Sequence, residues 1–292
     1  MMTTKGDKSK LLILPALIVV GIVTQIPFIL TIIYSFISWN VKRPDLGISF
    51  AGFSNYKKIL SDGQFYQVIL NSLLIVVVGL TICTVLGILF GLMLNREFKG
   101  VNLLRTLFVI PYFVMEAVVG IIWKTLMLNP SLGLNYYISN ALGLEPIDFF
   151  GKYALLTIML LIIWQWTPFF FLIIMSGLQN MPSEILESAR IDGATGWKLL
   201  LHIQLPLIRD HINVAMTLGL INILKVFGLI YVTTSGGPGS SSSNLPYYSY
   251  KALFYDWNVG TAAAIAVVTV ALTLIVVQRF YGFMNKNNSK NI

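Results

Sequence analysis

Six long apolar runs set the terms on which this chain can fold. They extend over Leu11–Trp39, Val68–Asn95, Leu103–Met127, Tyr153–Leu178, His211–Thr234 and Thr261–Gly282. Each reaches the roughly 20 residues that an α-helix needs to cross a bilayer. Inside hydrocarbon a backbone must satisfy its own amides and carbonyls, and segments of this length do so as helices. The chain therefore reads as all-α, a polytopic membrane helix bundle of about six transmembrane helices. Composition excludes an ordinary soluble protein: charged residues are 11% and mean hydropathy is +0.78, where soluble domains carry roughly 25% charge. The first run is too long for a signal peptide and offers no small-residue cleavage pattern, so it is a retained span. The expected organisation is a tail at 1–10, a membrane region at 11–283 and a second tail at 284–292.

The net charge of +8 would suggest nucleic acid in a soluble chain. Here the basic residues lie mostly at the ends of apolar runs, where they set orientation, and nucleic acid is not expected. With the N-terminus inside, Lys5, Lys8, Lys10, Arg96, Lys99, Arg105, Arg190, Lys198, Arg209, Arg279, Lys286 and Lys290 are cytoplasmic. Lys42, Arg43, Lys57, Lys58, Lys124, Lys152 and Lys251 fall outside. The excess places both termini in the cytoplasm, together with the polar stretch between the fourth and fifth runs. Cys83 is the only cysteine, and His202 and His211 are the only histidines, so neither an internal disulfide nor a metal cluster is expected.

That polar stretch, 182–206, is strictly patterned. Pro182–Ile191 is a helical run containing Glu184, Glu187, Ser188 and Arg190, which Asp192-Gly193 breaks; Thr195 is placed to cap a second short helix. Leu205-Pro206 should close that helix, because the residue before a proline is pushed out of the helical region. The expectation is a cytoplasmic helix-turn-helix.

The spacing resembles the "EAA" loop of ABC importer membrane subunits. Glu187, Ala189, Gly193, Ile203, Leu205 and Pro206 fall at the family's offsets, with Ser188 where the family has its first alanine. Gly52, Asn55 and Tyr56 are similar to the Gly-x-x-Asn-Tyr segment that follows the first span in many sugar-type permeases, although by themselves they make a turn. The resemblance covers nearly the whole chain and points to permeases of the maltose, glycerol-phosphate and polyol type. It implies an inner-membrane subunit of an ATP-driven importer that moves a carbohydrate (sugar, oligosaccharide or sugar alcohol) by alternating access. The partners it implies are a second permease subunit in a heterodimer, two ABC ATPase subunits carrying ATP and Mg, and an extracytoplasmic solute-binding protein. No cofactor is expected on this chain. In that scheme Glu187 anchors to the ATPase, Ser188 and Ala189 keep the approach close, Asp192 and Gly193 make the turn, and Ile203, Leu205 and Pro206 complete the loop.

No phosphate-binding loop, nucleophile elbow or zinc-protease helix occurs, so no catalytic residue is assigned. Gly236-Gly237-Pro238-Gly239 and the serines 240–243 compose a flexible external loop on their own, but with Leu224–Phe227 they are also similar to the family's fifth-span pattern. Charges inside spans are costly, so Glu116 and Lys225 should face the protein interior or a wet cavity, or be satisfied by backbone groups. A direct ion pair between them is one arrangement the sequence allows. An ion-coupled secondary carrier using either residue is the rival function. A polyhydroxy solute needs convergent polar groups in an aromatic lining. Tyr112, Glu116, Trp164, Gln165, Trp166, Asn222 and Lys225 supply such groups, although aromatic residues in spans also serve packing. Gly87, Gly91 and the alanines at 262–264 and 266 allow close helix approach, either within the chain or against a partner.

Overall fold

The computed structural model describes residues 5–288, with side chains over 13–282. The outer parts of the expected tails, 1–4 and 289–292, lie outside the described residues, as do the side chains of Lys5, Lys8, Lys10, Lys286 and Lys290. In chain order the helices are α1 (Lys5–Ser35), α2 (Ser54–Leu60), α3 (Gly63–Leu94), α4 (Val101–Phe113), α5 (Glu116–Ile121), α6 (Leu134–Ala141) and α7 (Ala154–Gln179). They continue with α8 (Ser183–Ile191), α9 (Gly196–Leu199), α10 (Leu205–Leu207), α11 (Arg209–Leu224), α12 (Gly228–Thr233), α13 (Leu245–Phe254) and α14 (Val259–Asn288). Two-residue strands β1 (Ile37–Ser38) and β2 (Ser49–Phe50) pair antiparallel, Ile37 opposite Phe50 and Ser38 opposite Ser49.

Five stretches are long and apolar enough to cross a membrane: Ile13–Ser35, Gly63–Leu94, Ala154–Gln179, Arg209–Thr233 and Val259–Gly282. The expected third span is not one straight helix. Val101–Phe113 and Glu116–Met127 are bent by 96° from each other, with Val114 and Met115 extended between them. Pro111 in the last turn of α4 removes a ladder hydrogen bond and weakens the helix just ahead of the bend. After α5 the chain continues through a wide π-helical segment, Ile122–Met127. The fifth span is also interrupted, at Lys225–Phe227 between α11 and α12.

By packing, the described chain divides into two units. One comprises the residues up to Phe65 with Tyr248–Ala271, the other Tyr66–Tyr247 with the chain from Leu272 onward. In the first unit the Gly-x-x-Asn-Tyr segment does more than turn. Asn55 Nδ2 donates to the carbonyls of Ser35 and Ile37, both at 2.9 Å, and the Tyr56 hydroxyl lies 2.7 Å from Ser35 Oγ. Asparagine thus ties α2 to a carbonyl that the end of α1 leaves free and to one of β1, and tyrosine ties it to the Ser35 hydroxyl. The residues before α14 join the same lock: Val41 N–H donates to Trp257 O at 2.9 Å and Val259 N–H to Trp39 O at 3.0 Å. The alanines at 262–264 are buried in this unit.

The second unit is built on α7, whose Ile162, Phe170, Phe171 and Ile174 are fully enclosed. A Cβ on Gly87 would stand 2.8 Å from Phe170 Cβ, so α3 approaches α7 closer than any side chain allows. The small-residue pair of α3 therefore packs within the chain. Between helices in a bilayer association gains little from expulsion of water, and close fit carries the contact instead. Phe108 of α4 meets Phe171 of α7 with ring centroids 5.1 Å apart.

Candidate functional site

The polar hairpin folds as two helices about a glycine. Pro182, extended at φ −61 and ψ 125, precedes α8, with Glu184 in its first turn and Arg190 in its last, the arrangement that complements a helix dipole. Ser188 Oγ donates back to the Glu184 carbonyl at 2.8 Å. Gly193 takes φ +82, a left-handed conformation that ends α8 at little steric cost only for glycine. The Ala194 N–H then closes onto the Ala189 carbonyl at 2.9 Å. Thr195 stands at the expected cap position, extended, without a side-chain cap bond.

Two details correct the sequence reading. Leu205-Pro206 does not close the second helix: Leu205 is helical, and its N–H reaches back five residues to the Leu200 carbonyl. The π-helical segment Leu200–Gln204 widens the turn ahead of Pro206, and the proline sits in the first turn of α10, where its missing N–H is tolerated. Ala189 is 8% exposed, so its small side chain serves the packing of the hairpin on its own chain. Glu187, Ser188 and Asp192 are exposed, and Ile203 and Leu205 are half-buried. Sequence reasoning passed over Ile191 and Trp197, which are 86% and 72% exposed. Their signal is an apolar residue on either side of the turn in an otherwise polar stretch. A cavity of about 510 Å³ opens between the hairpin and the end of α3, lined by Asn95, Arg96, Leu186, Arg190, Trp197 and Gln204 among others.

The candidate residues in the spans divide into two sets. Around the α4–α5 bend, Gln165 Nε2 donates to the Val114 carbonyl at 2.8 Å. The Tyr112 ring lies 5.6 Å from Trp166 and 5.5 Å from Phe169. Trp166 Nε1 is buried with no hydrogen-bond partner, an arrangement costly enough in an apolar setting to mark a place for an acceptor. Glu116 Oε2 accepts the Phe227 and Gly228 amides at 3.3 and 3.0 Å. Tyr112, Glu116, Gln165 and Trp166 thus gather about one bend.

The other three do not join them. Trp164 is 41% exposed and pairs edge-on with Trp123 at 5.4 Å. Asn222 Nδ2 returns to the Leu218 carbonyl of its own helix at 2.9 Å. Lys225 is exposed at the end of α11. Among the described residues no ion pair links it to Glu116; the carboxylate is met by backbone amides.

The Gly-Gly-Pro-Gly stretch is exposed at Pro238 and Gly239, but Gly236 and the residues that follow the stretch are enclosed. Ser242, Ser243 and Asn244 are buried. Asn71 of α3, which sequence reasoning did not single out, donates from Nδ2 to the carbonyls of Ser240, Ser241 and Ser243 at 3.0, 3.0 and 3.1 Å. Ser242 Oγ bonds the Gly237 carbonyl at 2.7 Å and Ser243 Oγ the Gly236 carbonyl at 3.1 Å. The signal for Asn71 was an amide inside an apolar run, where a polar group needs a partner.

With long apolar helices, two interrupted spans and an exposed polar hairpin established, comparison with known proteins is decisive. The family model described as "Binding-protein-dependent transport system inner membrane component" matches residues 83–289. The chain belongs to this family. Among curated relatives, a probable ABC transporter permease of Sinorhizobium fredii is 33% identical, over 90% of this chain and 85% of the relative. The trehalose/maltose transport system permease MalF of Thermococcus litoralis is 32% identical, over 91% and 90%. The fold matches a chain from the crystal structure of a bacterial ABC transporter involved in alginate import, with a TM-score of 0.80 at 22% identity over 95% and 94% of the two chains.

The protein is therefore the multi-pass permease component of an ABC importer. Such a permease is not itself an enzyme, ATP being hydrolysed on separate subunits, and it works with an ATPase and a solute-binding protein.

Proposed function

We propose that this permease imports a neutral carbohydrate by alternating access, paired with a second, non-identical permease subunit. The observation that carries the carbohydrate reading is the cluster at the α4–α5 bend. Tyr112 and Trp166 offer stacking faces, and the unpartnered Trp166 Nε1 is a donor for a hydroxyl. Relatives named for trehalose/maltose and for trehalose transport support the class. Tyr112, Glu116, Gln165 and Trp166 form the core of the proposed pathway; Trp164, Asn222 and Lys225 are its outlying members.

The hairpin at 182–206 is the proposed coupling element, on the cytoplasmic side with both termini. Glu187 and Asp192 supply charge, Gly193 the turn, and exposed Ile191 and Trp197 the apolar contact with the ATPase. Ser188, Ala189, Ile203, Leu205 and Pro206 hold the hairpin in shape. The bilayer region is 11–283, between tails 1–10 and 284–292. ATP and Mg belong to the partner ATPase pair. A short element of this kind couples only if its docking free energy differs between the two states of the transporter.

The test is co-purification of the tagged chain with its genomic neighbours, followed by uptake of a panel of labelled mono- and disaccharides, for wild type and Glu187→Arg. Recovery of an ATPase and a second permease with wild type, loss of the ATPase in the variant, and uptake of a sugar are expected. Full ATPase recovery with Glu187→Arg removes the coupling assignment, and uptake by the chain alone removes the importer scheme.

A further inference from the structure

We infer that Glu116, Gly120 and Lys124 form a two-ended clamp that fastens α12 to the segment 116–127, so that the two interrupted pieces move as one body. The helix α12 is only six residues long. Its first amides and last carbonyls have no partners within the helix, and hydrocarbon supplies none. Both ends are served by side chains of one neighbouring segment. Glu116 Oε2 takes the Phe227 and Gly228 N–H groups at 3.3 and 3.0 Å, and Lys124 Nζ donates to the Val232 carbonyl at 3.1 Å.

The three residues stand four apart, the spacing that aligns side chains along one helical face. Between the two charged ends, a Cβ on Gly120 would lie 3.2 Å from both Thr233 Cγ2 and Val232 Cβ, so the glycine sets the distance at which the ends can be reached. The charge order also fits. An acid meets the start of α12 and a base its end, each opposite in sign to the helix dipole.

The clamp has a mechanical meaning because of where the breaks fall. The residues Lys225–Phe227 separate α12 from α11, and the bend at Val114–Met115 separates α5 from α4. Glu116 lies next to one break and bonds across the other. The segment 116–127 with α12 is thus tied together by side chains while each piece is jointed to its own span. Glu116, Gly120 and Lys124 are positioning residues: they bear on transport through the body they assemble. This rests on the alternating-access reading above.

The experiment is hydrogen exchange, read by mass spectrometry over 222–235, on the full chain in lipid nanodiscs with whatever subunits co-purify. It compares wild type with Glu116→Ala, Glu116→Gln, Lys124→Ala and Lys124→Arg, and ATP turnover is measured on the same samples. Loss of the acceptor in Glu116→Ala should speed exchange at residues 227–228 about tenfold or more. Glu116→Gln, which keeps an acceptor oxygen, should restore most of the protection. ATP turnover should fall in Lys124→Ala at unchanged ATPase recovery, and should stay near wild type in Lys124→Arg. Wild-type exchange in Glu116→Ala overturns the clamp, and faster exchange at unchanged turnover overturns its part in transport. If no ATPase co-purifies with any variant, the importer scheme fails while the exchange data still decide the clamp.

Discussion

Gln165 Nε2 donates to the Val114 carbonyl at 2.8 Å, so a side chain of α7 takes up the carbonyl that the bend between α4 and α5 sets free. A bend inside an apolar span is tenable only where such a partner exists. Gln165 is 4% exposed, and Gln165→Leu would leave the carbonyl buried without a donor at a cost of about 1–3 kcal/mol. A lower thermal midpoint in detergent is the expected result.

Asn71 holds the loop after α12 through three carbonyls. Asn71→Asp replaces the donating amide by acceptors facing acceptors. The stretch 236–244 should then become accessible to protease while the spans stay protected, and limited proteolysis with mass mapping checks this. An unchanged cleavage pattern would show that the serine bonds to Gly236 and Gly237 suffice without Asn71.

Gly193 is left-handed at φ +82 with open space around its Cβ position. A side chain there meets no neighbour, so Gly193→Val acts through backbone strain alone, on the order of 1–3 kcal/mol for a β-branched residue. Insertion into the membrane should be normal and ATPase recovery in the pull-down reduced. Gly193→Asn, whose side chain tolerates this conformation, should recover most of it.

Tyr248 donates its hydroxyl to Asp62 Oδ2 at 2.6 Å. Burial first, then the hydrogen bond and charge of Asp62 and the charge of Asp256, hold this phenol well above the ordinary tyrosine value. A raised value means that the group's contribution to stability is complete below about pH 10, the unfolded value, and is lost only as pH rises through the folded one. In a titration followed by tyrosinate absorbance, Tyr248 should ionise above the ordinary tyrosine range, and Asp62→Asn should bring its ionisation forward. A titration that Asp62→Asn leaves unmoved would assign the shift to burial and Asp256 without Asp62.

Hydropathy alone located the spans, because crossing a bilayer demands length and apolarity whatever the packing. It missed the 96° bend, since Val114 and Met115 are as apolar as the helix around them and Pro111 is tolerated in membrane helices. The turn at Gly193 was legible because left-handed backbone selects glycine. The course of the chain through Leu205-Pro206 was not: the steric rule before proline was overcome by a wider helical turn, which no single residue announces. Asn55 read as a turn residue because its partners, the carbonyls of Ser35 and Ile37, carry no side-chain signature. The gathering of Tyr112, Gln165 and Trp166 followed residue type, whereas Lys225 and Trp164 shared that chemistry without the geometry.

The passage through Pro206 bears on how force travels in the subunit. Had the helix stopped at Leu205, the hairpin would have hung from the fifth span by a slack tether able to absorb a displacement. Instead Leu205 N–H to Leu200 O, Ile208 N–H to Gln204 O and Ile212 N–H to Ile208 O carry hydrogen bonds past Pro206, which donates none, from the π-helical turn into α11. In the coupling role proposed for the hairpin, a tilt imposed at Gly193 would pass into the fifth span along these bonds and would not be taken up by loose chain, like the throw of a crank.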